Sequence, residues 1–264
     1  MHWVVQEDFL PVRTAAGLRA VLERGGLPHD IVKLRLQGGA LEPEIAPVGP
    51  VVVIGSVALV RIGRARGWEP AGWFGRDGDE DLFSFEACRS ALGDRMLNAA
   101  GRVLRFAEVT EPDTGPVFIR PADDGKAFAG TVLTRDEYPG WRAGIAGPDV
   151  SWPVAAECLV VVAPVRDILS ETRFIVVDGR VVAGSLYRRG GRPLSDGPID
   201  DAVTAFACEA AAIWTPDRVV AMDVAQTRDG PKVIEFNNFN SARWYAADPG
   251  RIVAAIEAMD RSDA

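Results

Sequence analysis

The sequence predicts a mixed α/β (α+β) protein: an N-terminal α/β layer followed by a region of strands and hairpins. Two observations carry this. Over roughly the first hundred residues, short β-branched runs alternate with amphipathic helical stretches, the order that builds a layered α/β sheet. From Leu104 onward, tight-turn residues punctuate β-branched runs, which is the texture of hairpins. A soft boundary near residue 105 divides the chain into an N-terminal unit over 1–105 and a second region over 106–264.

Trp3-Val4-Val5 reads as a short strand. Thr14 to Arg24 places Leu18, Val21 and Leu22 at helical spacing, with Thr14 as N-cap and Gly25-Gly26 as the stop. Ile31 to Leu36 alternates as a strand. Val51-Val52-Val53-Ile54, closed by Gly55-Ser56, is the continuous apolar run of a buried parallel strand. Helix is expected over Val57–Arg66 and again over Ala87–Val103. Between them, Gly67 to Asp81 is a loop rich in aromatic residues (Trp68, Trp73, Phe74), read either as a pocket lining or as satellite core. Further strands are expected at Val117–Arg120, Ala127–Leu133, Val160–Ala163, Arg173–Val177, Val181–Leu186, Val219–Ala225 and Lys232–Phe236. Helices are expected at Pro198–Ala212 and Pro249–Met259.

Composition then removes whole classes of chemistry. The 264 residues carry 29 basic and 37 acidic side chains, a formal net charge of −8, which opposes general binding to nucleic acid or anionic membrane. Hydrophobic residues make up 48% and charged residues 25%, the balance of a globular protein and not of a disordered one. No apolar run is long enough to span a bilayer, and the N-terminus lacks the basic and apolar regions of a signal peptide, so the cytoplasm is the expected location. Cys88, Cys158 and Cys208 lie far apart without a CxxC pair and read as reduced thiols. His2 and His29 are the only histidines, which leaves little room for a histidine-based triad or zinc site. Chemistry must run on carboxylates, Arg, Lys, backbone amides and a hard cation.

Three segments carry such groups. In Val219 to Asn238, Arg228-Asp229-Gly230 reads as a three-residue hairpin loop with glycine at its left-handed position. Thr227 then faces Pro231, Asp223 lies opposite Glu235, and Asn237 emerges on the same face as Glu235. Opposed carboxylates repel, and no fixed cation is evident nearby in the sequence. Mg²⁺, which takes oxygen ligands, would resolve the conflict; a solvated acidic face is the other reading. In Pro116 to Gly130, a strand delivers Arg120 and a glycine-bearing loop delivers Lys126, which suits either a polyphosphate or two surface cations beside a turn. In Ser170 to Arg188, a tight hairpin at Asp178-Gly179 or Gly179-Arg180 places Glu171 and Arg173 on one face and Arg188 at the end of the returning strand. That is an ordinary hairpin with an ion pair, or one that aims an arginine at a phosphoryl group.

Taken in order, the motifs resemble the ATP-grasp superfamily of carboxylate–amine ligases, and within it the clade whose first nucleotide-binding lysine is replaced by arginine. They are Phe118-Ile119-Arg120-Pro121 with Gly125-Lys126; Glu171-Thr172-Arg173 with Gly184-Ser185-Leu186-Tyr187; and Met222-Asp223-Val224 with Glu235-Phe236-Asn237-Asn238-Phe239-Asn240. The resemblance implies an ATP-grasp fold, with an N-terminal α/β domain followed by two α+β subdomains that clasp ATP. It further implies that Arg120 and Lys126 contact ATP phosphates, that Val161-Val162-Ala163-Pro164 is the linker whose backbone meets adenine, and that Asp223, Glu235 and Asn237 hold Mg²⁺. Arg173 would lie near the γ-phosphate with Glu171 beside it, and Arg188 and Asn240 would contact phosphate or acceptor. The implied reaction makes an acyl phosphate from a small-molecule or peptide carboxylate, which an amine then attacks. A phosphotransferase or a non-catalytic nucleotide-binding module is the alternative. Nucleic acid and membrane are not expected as partners, and a homodimer is the default oligomer because closed two-fold assemblies are the commonest.

Overall fold

Val51–Ile54 (β4) is buried at all four positions and runs parallel to His2–Gln6 (β1), as a run without polar alternation requires. The computed structural model describes residues 1–35, 40–73, 81–123, 127–148, 150–194 and 196–259. Its first sheet also holds His29–Leu34 (β2), Leu41–Glu42 (β3) and Pro70–Ala71 (β5), in the order β3-β2-β1-β4-β5. The helices Val12–Arg24 (α1) and Val57–Ala65 (α2) complete this layer. α1 starts two residues earlier than expected, so Thr14 lies inside the helix and does not cap it. Its hydroxyl instead donates to the carbonyl of Tyr245. Trp68 and Trp73 are buried in two different apolar clusters, so the aromatic loop is core there; Phe74 lies outside the described residues.

The helix expected over Ala87–Val103 is shorter. Phe85–Leu92 (α3) is capped by the Ser84 hydroxyl and ends at Gly93, whose positive φ of 53° breaks the helical path. The chain resumes as Arg102–Arg105 (β6), which joins Val117–Pro121 (β7), Thr131–Leu133 (β8) and Leu159–Pro164 (β9) in a second sheet ordered β6-β9-β7-β8. The strand expected from Ala127 forms only from Thr131. Tyr138–Ala146 (α4) is a helix that the glycines at 140 and 144 conceal in the sequence, although Pro139 in its first turn is a start signal.

The third sheet is antiparallel. Ile168–Val177 (β10), Arg180–Arg189 (β11), Arg192–Pro193 (β12), Val219–Thr227 (β13) and Gly230–Asn238 (β14) lie in the order β12-β11-β10-β13-β14. Asp178 and Gly179, both at positive φ, form the tight two-residue turn between β10 and β11. Asp201–Ile213 (α5) packs on one face of this sheet, where Val203, Ala207 and Ala210 meet Phe174, Val176 and Met222. Pro249–Glu257 (α6) packs with α1, and Trp3, Ile175, Val219 and Trp244 form one core between the first and third sheets. Each large side chain so buried contributes about 1.5–3 kcal/mol. Among the described residues, no helix is long and apolar enough to cross a membrane.

Candidate active site

The β13–β14 hairpin places Asp223 directly opposite Glu235 by a route the sequence does not show. Its loop is two residues, because Thr227 faces Gly230 and not Pro231. That shift alone would misalign the carboxylates. An irregularity between Asp223 and Val224 then adds one residue, Ile234, to β14 and restores the pairing. Asn237 follows on the same face, and its amide nitrogen lies 3.2 Å from Asp223 Oδ2 and 3.3 Å from Glu235 Oε1.

Each carboxylate also has an arginine, contrary to the expectation that no fixed cation balances them. Arg173 on β10 lies opposite Asp223 in the register and grips it with a fork, Nε to Oδ1 at 2.8 Å and Nη2 to Oδ2 at 2.7 Å. Arg120, at the end of β7, donates from Nη1 to Glu235 Oε2 at 3.2 Å. These cations arrive from distant strands, which is why local spacing hides them. They remove charge repulsion as an argument for a metal, and leave the chemistry of the donor set.

That chemistry fits a hard ion. Two carboxylates and one amide converge, and among the described residues no cluster of three His, Cys, Asp or Glu exists. An ion held here would draw at most three protein oxygens and complete its shell from water and phosphate, the habit of Mg²⁺. The amide of Asn237 turns its nitrogen to the two anions; a cation would select its oxygen.

Arg120 also borders a cleft of about 360 Å³ walled by Phe83, Pro121, Phe128, Glu235 and Phe236. Its Nε is buried without a hydrogen-bond partner, and its guanidinium stands 5.7 Å from the Phe85 ring. A buried unpaired guanidinium N–H beside a cleft is a donor waiting for an anion. Lys126 lies outside the described residues.

On the other side of Arg173 stands an aromatic wall. Tyr187 and Tyr245 stack 4.7 Å apart at 9°, with the Arg173 guanidinium 5.8 and 5.3 Å from their ring centres. Arg173 Nη1 donates to the carbonyl of Arg243. Burial alone would lower the Arg173 pKa, but the Asp223 charge and its hydrogen bonds outweigh it and hold the group above its ordinary value. Tyr187 donates to Glu171 Oε2 at 2.6 Å; burial, then the charges of Asp223 and Glu171, push this phenol far up, so it keeps its proton. Glu171 also accepts from Arg188 at 3.0 Å, and this hydrogen bond, then the Glu171 charge, raises the Arg188 pKa. Tyr245 sits at φ 51°, a strained conformation for a bulky residue, held by Thr14 at its carbonyl. No spacing in the sequence announces the Tyr187–Tyr245 pair.

Two expected site segments lie elsewhere. Val161 and Val162 are not a loose linker: both sit inside β9, paired to β6 on one side and β7 on the other, and Ala163 pairs with Phe118. Asn240 is fully buried. Its amide donates to the carbonyls of Val53 and Ala71 and accepts from the Trp73 N–H, so it joins the first sheet to the end of β14 and is not open to a phosphate.

Comparison with solved structures places this arrangement in a known fold. The ATP-grasp ligase PsnB, complexed with a minimal precursor, matches with a TM-score of 0.54 at 16% identity, over 98% of this chain and 99% of that one. A RimK domain ATP-grasp protein from Sphaerobacter thermophilus matches at 0.60 and 15% identity, over 97% and 100%. D-alanine–D-alanine ligase from Bacillus anthracis matches at 0.59 and 11%, over 97% and 92%. No curated protein matches the sequence significantly. The ATP-grasp domain model for family 3 of the arginine-for-lysine clade matches residues 64–256. With that match, the three-sheet fold and the arginine at position 120, the chain belongs to the arginine-for-lysine clade of the ATP-grasp family.

Proposed function

We propose that this protein is an ATP- and Mg²⁺-dependent carboxylate–amine ligase working through an acyl phosphate. The observation that carries the reading is the convergence of Asp223, Glu235 and Asn237 beside the cleft that receives the buried, unpartnered Nε of Arg120. Solved PsnB complexes containing Mg, ADP and precursor peptide support nucleotide use and a peptide as one substrate class.

In this reading Arg120 and Lys126 hold the phosphate chain, with the backbone at Val161, Val162 and Ala163 bordering the adenine. Asp223, Glu235 and Asn237 would hold Mg²⁺, which supplies charge neutralisation at the β- and γ-phosphates. Arg173 meets the transferring phosphoryl group. Its fork on Asp223 and its bond to the Arg243 carbonyl use three of its five N–H groups, and two remain. Glu171 fixes Tyr187 and Arg188, and Arg188 stands toward the acceptor.

An oxygen of the substrate carboxylate attacks the γ-phosphorus, and ADP leaves with the electron pair of the broken P–O bond. The amine nitrogen then attacks the acyl carbon, phosphate departs with its C–O electrons, and the nitrogen loses a proton to solvent. The protein positions these groups and stabilises charge, so the scarcity of histidine is no handicap. We place the reaction in the cytoplasm, with no nucleic-acid or membrane partner.

Calorimetric titration with ADP, with and without Mg²⁺, tests the nucleotide site: Mg²⁺-dependent binding is expected, and no binding at saturating Mg²⁺ sinks the proposal. Hydroxylamine trapping tests the chemistry. A hydroxamate marks an acyl phosphate, whereas ATP turnover that gives a stable phosphoester makes the protein a phosphotransferase.

A further inference from the structure

We propose that the β11–β12 hairpin, Arg188 to Pro193, docks an acidic polypeptide segment and so delivers a carboxylate-rich peptide to the site. This rests on the ligase reading and names its substrate class. Arg189 and Arg192 face each other directly in the register, joined by Gly190 and Gly191 at φ 55° and 73°. Such a turn pins its flanking pair. Two further bonds tie the hairpin down, Gly190 N–H to the Leu169 carbonyl and Leu194 N–H to the Tyr187 carbonyl, both at 2.8 Å.

Like charges directly opposite on paired strands repel, and this turn denies them escape by slippage. Both side chains are exposed, and neither has an acidic partner among the described residues. The arrangement gains stability when a carboxylate lies between the two guanidinium groups. The tip is also continuous with the site: Arg188 pairs with Glu171, Glu171 holds Tyr187, and Tyr187 stands against Arg173. Arg243, exposed and likewise without an acidic partner among the described residues, follows the same wall.

An acidic polypeptide fits better than the other polyanion class. The net charge of −8 repels a long nucleic acid at a distance, whereas a peptide needs only a few carboxylates near the tip. β12 is two residues long and ends in proline, so it offers no ladder for strand addition, and recognition falls to the side chains. The consumed group is itself a carboxylate, so one acidic segment supplies both anchor and substrate.

The test is fluorescence anisotropy of labelled decaglutamate with the wild-type protein, R189E/R192E and R189Q/R192Q, at low and high salt. Decaglutamate is expected to bind the wild type, to weaken with salt, and to bind R189E/R192E about tenfold or more weakly, with the glutamine pair between. Where thermal unfolding shows the charge-reversed protein misfolded, the glutamine pair decides. Equal binding by wild type and variants, or none by the wild type, overturns the proposal; tighter binding of an oligothymidylate of the same length overturns its polypeptide assignment. ADP titration with Mg²⁺ on the same wild-type preparation separates the outcomes. ADP binding without decaglutamate binding removes this inference alone, and loss of ADP binding removes the ligase reading beneath it.

Discussion

Asp223 accepts from two arginine nitrogens and an amide while only 2% exposed, so its charge is committed before any ligand arrives. Breaking a buried pair from one side leaves the other charge stranded, at about 3–5 kcal/mol. D223N should therefore lower stability in urea by about 3 kcal/mol, and R173M/D223N should recover most of that because an apolar replacement of both partners is nearly neutral. Both variants should lose Mg²⁺-dependent ADP affinity; retention by D223N would remove this residue from the metal set. Cys88 makes a separate residue-scale prediction. Burial, countered by Arg120 but assisted by Asp81 and Glu235, pushes its thiol up to about 12 from 9.0. The folded state then keeps a proton that the unfolded chain loses, so this group's stabilisation is full below pH 9 and declines as the pH rises toward 12. C88A should flatten the fall in urea stability above pH 9; an unchanged slope would assign that fall elsewhere.

Among the elements, the hairpins are the most readable and the helix limits the least. The β13–β14 pairing is legible to the residue at Asp223–Glu235, yet the expected register holds there only because a shorter loop and an added residue at Ile234 cancel. Neither feature leaves a trace in the alternation of side chains. α3 stops early because Gly93 takes a left-handed conformation, and the hydrophobic pattern beyond it belongs to β6. α4 escapes a sequence reading because its glycines mask the Trp141/Ile145 spacing. Caps are legible where a short polar side chain precedes an apolar run. Asp248 accepts from the N–H groups of Gly250 and Arg251 at the start of α6, the helix that packs on α1. D248A should cost about 1 kcal/mol of urea stability, with ADP affinity unaltered.

At the scale of the molecule, Asn240 joins the first sheet to the third. Truncation would orphan two buried carbonyls and a buried N–H, each at about 1–3 kcal/mol, partly recovered by relaxation and water. N240A should destabilise by about 3 kcal/mol in urea while the folded fraction keeps its ADP affinity; a stable N240A with lost ADP affinity would return Asn240 to the phosphate site. Ligand linkage gives a global check, because ADP with Mg²⁺ at a hundred times its dissociation constant should add about 2.7 kcal/mol if it binds only the folded state.

The sequence by itself determined the class of the protein: the alternating layer, the hairpins, the order of the arginine, glutamate and asparagine motifs, and the exclusion of histidine chemistry. These are local or near-local properties, set by period, turn residues and composition. Only the tertiary structure decided which charges meet. Arg120 on Glu235, Arg173 on Asp223, Tyr187 on Tyr245 and Asn240 on the first sheet all join segments far apart in the chain. Side-chain periodicity carries no information about such pairs, because the packing of three sheets around shared cores chooses them.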